Sequence, residues 1–120
     1  MSCFTLRAMA DFHQKLDAKV RLLNPKNQSI WAELRKRDDR ADKSVERAKK
    51  ALNETDDQLY SDVYTCIMNN LNDDNAEELA ALYSSFREYQ TMRYTDMTQR
   101  LLECIALREQ FYRRIDSYLV

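Results

Sequence analysis

Hydrophobic residues recur at three- and four-residue steps along most of the chain, a spacing typical of one face of an α-helix. The first stripe predicts a helix over residues 3–23, and Pro25 then interrupts the pattern. Because the stripe resumes in the same direction over residues 30–52, we predict a kink at Pro25 within one long helix rather than a loop between packed helices. The two stripes contain Phe4, Met9, Phe12, Leu16, Val20 and Leu23, then Ile30, Leu34, Ala41, Val45, Ala48 and Leu52.

Two polar segments interrupt the pattern further along the chain. Residues 53–58 predict a sharp turn between helices, because Thr55 and Gln58 have the spacing of a capping box. A helical stripe then continues over residues 59–71 and reaches a second polar segment at residues 72–75. This second segment predicts either a kink or another turn, since its residues weaken a helix and resemble a cap.

From Ala76 to Val120 the apolar stripe meets no helix breaker. We therefore predict one helix of 45 residues, about 68 Å long at a rise of about 1.5 Å per residue. One small chain cannot cover such a stripe, so the pattern predicts dimerisation. The residues predicted to form the dimer interface are Phe12, Leu16, Leu79, Leu82, Phe86, Leu101, Ile105 and Leu119.

The composition agrees with an all-α fold. The chain contains no Gly and one Pro, although sheet folds need such residues at their turns. With 44% hydrophobic residues the chain can build a core, which argues against disorder. We expect a single all-α domain over residues 1–120, with long kinked helices in an antiparallel hairpin that dimerises into an elongated bundle.

The side chains that carry chemistry are sparse, and we expect neither an enzyme nor a metal or other cofactor. His13 is the only histidine, and although Asp17 lies four residues on, no second His or Cys lies within ligand spacing. Three scattered cysteines fit a reducing compartment, with Cys66 and Cys104 beside apolar stripes as buried small residues. The net charge of −1 disfavours nucleic-acid binding. Without a signal peptide or a membrane-spanning stretch, we expect a cytoplasmic protein with, at most, peripheral membrane association.

A basic run over residues 35–50 admits two interpretations. In the first it is a solvated helix face whose cations pair with acids of the same helix: Asp38, Asp39, Asp42 and Glu46. In the second it contacts an anionic surface such as a membrane through Lys36, Arg40, Lys43, Arg47 and Lys50. Stepping about 100° per residue places these cations opposite the apolar stripe and Asp38 and Asp42 closer to it.

Four features in order carry a family resemblance: residues 11–16, a proline at Pro25, the basic segment 34–38, and the two stretches 77–85 and 107–114. Together they resemble the BAR domain, in particular its amphiphysin and bridging-integrator branch. The match covers the second and third helices of that family and leaves no room for the first. The chain also departs from the family in having Ala80 at the third-helix proline and an acidic turn over residues 53–57.

The resemblance implies a crescent-shaped dimer that binds or shapes curved anionic membranes. The expected partners are therefore a second copy of the chain or a BAR-domain heterodimer partner, together with an anionic membrane surface. The alternative is a helical dimerisation or adaptor module in a protein complex that makes no lipid contact. Liposome binding separates these two hypotheses.

Overall fold

The computed structural model describes residues 6–38, 40–43, 57–95 and 97–118, and the side chains of residues 10–38, 40–43, 58–90 and 105–118. Five helices lie within these residues: α1 Leu6–Val20, α2 Pro25–Lys36, α3 Asp57–Asn70, α4 Ala76–Thr95 and α5 Met97–Asp116. Residues 38 and 40–43 continue α2 in helical conformation after a turn at Arg37. The described part of the chain contains no strand, which confirms the predicted all-α class.

The connection at Pro25 differs from the prediction of a kink in one long helix, which is wrong. Asn24 adopts an extended backbone, with φ −65° and ψ 162°, and its side chain caps α2. Proline follows at the first helical position, where its missing N–H has no intrahelical partner to lose. The Arg35 Nε lies 2.7 Å from Asp17 Oδ1, whereas a continuous helix would separate these residues by about 27 Å. The chain therefore folds back here, and α1 packs against α2.

Residues 72–75 form a turn rather than a kink. The Asn72 side chain accepts from the backbone N–H of Asp74 at 2.8 Å, and Asn75 donates to the Asn70 carbonyl at 2.6 Å. Beyond the turn α4 runs back along α3, so that the rings of Tyr64 and Tyr83 lie 5.7 Å apart. The other predicted turn, at residues 53–58, lies largely outside the described residues, which resume at residue 57.

The predicted 45-residue helix is also wrong. Helix α4 ends at Thr95 and α5 begins at Met97, and the two pack against each other. The rings of Phe86 and Phe111 lie 5.5 Å apart, although one straight helix would separate them by about 38 Å. Folding back buries Phe111 against α4 within one chain, which offsets the loss of helix continuity.

The core lies where the five described helices face one another. Trp31, Tyr64 and Tyr83 are fully buried, and the Trp31 indole donates to the Ala76 carbonyl at 3.1 Å. This bond satisfies the buried indole N–H and joins α2 to the start of α4. The radius of gyration is 14.2 Å and the longest extent is 42 Å. Five helices of 12–20 residues thus form a compact bundle rather than a long hairpin.

Candidate functional site

A group of charged side chains lies inside the bundle, where α1, α2, α3 and α4 meet. We call it the Arg87 cluster and define it as His13, Arg35, Asp38, Asp42 and Arg87. Asp38 is 1% exposed and Arg87 is 8% exposed. Charges buried to this degree are costly unless they are paired and hydrogen-bonded, so their partners determine what the cluster can do.

Arg87 extends from α4 into a polar cage provided by α3 and by its own helix. Its Nη1 donates to the hydroxyls of Tyr60 at 2.6 Å and Tyr64 at 3.0 Å, and to Gln90 Oε1 at 3.0 Å. The guanidinium is thereby fixed in position. Burial lowers the pKa of Arg87, but the surrounding tyrosine oxygens and the nearby carboxylates outweigh burial and raise it. For Tyr60 burial has the opposite effect, because it disfavours the charged phenolate, and the pKa is raised to about 12.

The other side of the Arg87 guanidinium faces the helical residues that follow α2. Its Nη2 donates to the backbone carbonyl of Asp38 at 3.2 Å and to the Asp42 carboxylate. Its Nε lies 3.2 Å from Asp38 Oδ1. A single guanidinium therefore contacts two carboxylates and one backbone oxygen, a use of the planar donor fork that lysine cannot reproduce.

His13 and Arg35 close the cluster from α1 and α2. Arg35 donates to both oxygens of Asp17, to Asp38 and to His13 Nδ1. Because Nδ1 of His13 accepts this bond, its Nε2 carries the proton in the neutral ring. That Nε2 lies 3.1 Å from Asp42 Oδ2.

The Asp42 pKa shows the balance of effects in the cluster. Burial raises the pKa, whereas the hydrogen bond with His13 and the charge of Arg87 lower it, and the net result is a pKa below the usual value. The carboxylate is thus held in its ionised form. Among the described residues, no group of three or more His, Cys, Asp or Glu side chains is arranged to hold a metal ion. The contacts of the cluster join α1, α3 and α4 to α2 and the helical residues that follow it.

Three of the five predicted membrane-binding residues have described side chains. Lys36, Arg40 and Lys43 are exposed, and we call these three the basic ridge. Asp38 and Asp42 belong to the Arg87 cluster and are less exposed than these cations, which agrees with their predicted position closer to the apolar stripe. Arg47 and Lys50 lie outside the described residues.

The interpretation of the basic run as a set of paired charges holds only for some of its members. Arg35 pairs with Asp38 three residues on, as that interpretation expects. Lys36 Nζ lies 2.9 Å from Glu33, in an ion pair with both side chains more than half exposed. Such exposed pairs contribute little to stability. Asp42, however, pairs with His13 and Arg87 from other helices.

The predicted dimer-interface residues fall into two groups. Leu16, Leu79, Leu82 and Phe86 are at most 1% exposed and belong to the core of the single chain. Phe12 is half-buried and stacks on Tyr64 with 4.2 Å between ring centroids. Ile105, in contrast, is 50% exposed. The side chains of Leu101 and Leu119 lie outside the described set.

Sequence reasoning missed Arg87, Tyr60 and Gln90. A signal existed for Arg87, because it continues the buried face of α4 at four-residue steps from Leu79 and Tyr83. A cation on an apolar stripe requires an anionic partner in the fold. Periodicity alone does not show which carboxylates provide it.

No family model matches this sequence, and searches of curated proteins and of solved structures find no match. The resemblance to BAR domains therefore rests on the motif residues given above. Among the described residues, none of the helices combines the length and the apolar composition needed to cross a bilayer.

Proposed function

We propose that the chain is a non-enzymatic helical scaffold that docks on anionic membrane surfaces through the basic ridge. The observation that supports this function is the separation of charge over residues 36–43. Lys36, Arg40 and Lys43 are exposed, while Asp38 and Asp42 lie inward beside Arg87. The two acids of this stretch that the structure describes are thereby turned toward Arg87 and away from an anionic partner.

The expected strength of docking follows from the number of cations. Each Lys or Arg close to an acidic bilayer contributes about 1 kcal/mol. Three ridge cations, with Arg47 and Lys50 on the same face by sequence, predict weak binding that depends on salt. The negatively charged turn predicted at residues 53–57 would weaken contact at that end.

The family resemblance supports the same function and adds a dimer to the proposal. In that form two chains, or this chain and a BAR-domain partner, pair into an elongated bundle. Most of the apolar face assigned to pairing is used within the single chain, so Ile105 on α5 is the described part of that face still accessible to a partner. The single chain is 42 Å in its longest extent, so an elongated membrane-binding shape would require pairing of two chains.

Vesicle co-sedimentation tests the proposal. The wild type should bind vesicles of phosphatidylserine and phosphatidylcholine but not phosphatidylcholine alone. Reversing the charge of the ridge with Lys36→Glu, Arg40→Glu and Lys43→Glu should weaken binding about 100-fold, since three contacts of about 1 kcal/mol each are lost. Binding of the wild type should also fall as salt shortens the Debye length from about 10 Å at 0.1 M to about 3 Å at 1 M.

A matched variant controls for net charge. Lys15→Glu, Arg21→Glu and Arg113→Glu change the total charge equally at exposed positions away from the ridge. This variant should bind nearly as well as the wild type. If the wild type does not co-sediment with acidic vesicles at low salt, membrane docking is contradicted.

The second candidate function is an adaptor module that binds a protein partner and no lipid. The observation that favours it is the exposure of two large apolar side chains, Leu22 at 83% and Ile105 at 50%. Ile105 belongs to the face that the sequence assigned to pairing, and its exposure leaves this residue accessible to a protein partner. Absence of vesicle binding, together with self-association that depends on Ile105, would support the adaptor.

A further inference from the structure

The charge of the basic ridge depends on how one helical stretch is rotated about its axis. Residues 36–43 carry four cations, Lys36, Arg37, Arg40 and Lys43, and three acids, Asp38, Asp39 and Asp42. The structure describes all of these residues except residue 39. If the acids faced solvent, they would lie within one turn of the cations and reduce the local positive charge. In the structure Asp38 is 1% exposed and the Asp42 side chain 16% exposed.

We infer that Arg87 is a positioning residue for the basic ridge, because from the core it holds both acids inward. This inference rests on the proposed function for its effect on docking, but not for its effect on structure. Arg87 contacts Asp38 Oδ1, the Asp38 backbone carbonyl and the Asp42 carboxylate. Contact with the backbone oxygen fixes the main chain as well as the side chains, and so defines which face of the stretch is outside.

Arg87 is anchored in α3 and α4, outside the stretch 36–43, and it can therefore set the rotation of that stretch. Its Nη1 is held by Tyr60 and Tyr64 of α3 and by Gln90 of α4. Arg35, itself held by Asp17 and His13 of α1, also contacts Asp38, but Arg87 reaches the Asp38 backbone and Asp42 as well. His13 of α1 also contacts Asp42, with its Nε2 3.1 Å from Asp42 Oδ2.

Loss of Arg87 would leave two carboxylates inside the bundle without their shared cation. A buried charge whose partner is removed is strongly destabilising. Turning the stretch so that Asp38 and Asp42 reach water relieves that cost. The carboxylates then lie beside Arg40 and Lys43 and oppose an anionic surface.

The first test measures the position of the acids directly. Wild type and Arg87→Met are treated with a water-soluble carbodiimide and an amine, and labelling of each carboxylate is measured by peptide mass spectrometry. Asp38 and Asp42 should be protected in the wild type and labelled at least about 10-fold faster in the variant, as expected for groups that move from a buried to an exposed site. Asp74, exposed in the α3–α4 turn, serves as the internal reference. Unchanged labelling of both acids would overturn the inference.

The second test separates a positioning role from a general structural role. Arg87→Met should weaken binding to phosphatidylserine vesicles about 10-fold, while Arg113→Met, an exposed change of the same charge, should not. The triple variant Arg87→Met, Asp38→Asn, Asp42→Asn has no carboxylates to release and should bind at least as tightly as the wild type. Weaker binding that the triple variant fails to restore contradicts the inference.

Two further outcomes are distinguishable. If Arg87→Met does not fold by circular dichroism, Arg87→Lys replaces it in both tests, because lysine keeps the charge but cannot contact both acids and the carbonyl together. If the wild type binds no acidic vesicles while labelling of Asp38 and Asp42 still rises in the variant, the positioning role stands and the proposed membrane function fails.

Discussion

Asp42 shows how the stability of the bundle depends on the charge of one residue. Its carboxylate lies between His13 Nε2 and the Arg87 guanidinium, and both contacts favour the ionised form. Together they lower its pKa in spite of burial. A group whose folded pKa is lowered stabilises the folded state above its unfolded pKa, about 3.9 for Asp, and loses that contribution as the pH falls through the folded value.

We therefore expect the free energy of unfolding to fall below about pH 4 in part through Asp42. At pH 7 Asp42→Asn should lower that free energy by about 3 kcal/mol, because the substitution removes the charge that pairs with buried Arg87. The difference between variant and wild type should shrink as the pH drops toward 3. Urea unfolding across this range measures both effects.

Asp74→Asn provides the matched control, since Asp74 is exposed in the α3–α4 turn. This substitution should shift the unfolding free energy by less than about 0.5 kcal/mol at either pH. A gap between Asp42→Asn and the wild type that stays constant from pH 7 to 3 would contradict the role given to Asp42.

At the scale of elements, two short connections fix how the helices fold back. Asn24 caps α2 by accepting from the Asn27 backbone N–H at 2.9 Å. Asp73 of the α3–α4 turn accepts from the Asn24 backbone N–H at 2.8 Å and from the Asn27 side chain at 2.9 Å. These hydrogen bonds lower the pKa of Asp73. The start of α2 and the start of α4 are thus joined through side chains of the turns themselves.

Replacing the cap should destabilise the bundle without altering its core. Asn24→Ala removes the side-chain acceptor but keeps the backbone N–H that reaches Asp73, and should cost about 1 kcal/mol. Chemical denaturation monitored by circular dichroism measures this change. Asn69→Ala, an exposed substitution inside α3, should leave stability the same or slightly higher because Ala favours helix interiors. Equal effects of the two substitutions would show that Asn24 does not act as a cap.

At the scale of the whole molecule, the bundle has a core of its own, and Ile105 of α5 stays half-exposed. Leu82 and Phe86 are each 1% exposed, and both lie in the same cluster as Phe111 and Ile115 of α5. The half-exposed Ile105 lies outside that cluster. Self-association and folding should therefore depend on different residues.

We expect the wild type to sediment as a dimer and Ile105→Asp as a folded monomer, because an unpaired charge at an interface opposes association. Leu22→Asp, at a more exposed apolar residue of the α1–α2 connection, should remain dimeric. Leu82→Asp should unfold the chain instead. Analytical ultracentrifugation with circular dichroism distinguishes these outcomes, and a wild type that is monomeric at all concentrations would contradict pairing through α5.

The sequence by itself determined the helical class and most of the buried faces. Spacing alone placed Leu16, Leu79, Leu82 and Phe86 on apolar stripes, which were assigned to a dimer interface, and all four are buried within the single chain. This success has a local cause, since the period of the pattern follows from the geometry of a single helix. The same angular geometry predicted that Asp38 and Asp42 lie closer to the apolar stripe than the cations do.

Only the tertiary structure decided what covers each face and which charges pair. An apolar stripe shows that a helix face is covered, but not whether its own chain or a partner covers it, and so the reversals at Pro25 and between Thr95 and Met97 were missed. Arg87 meets Asp38 and Asp42 across 49 and 45 residues of sequence. Contacts at such separations follow from how the helices fold back and pack. The helical period of the sequence shows which residues share a face of one helix, but not which helices meet.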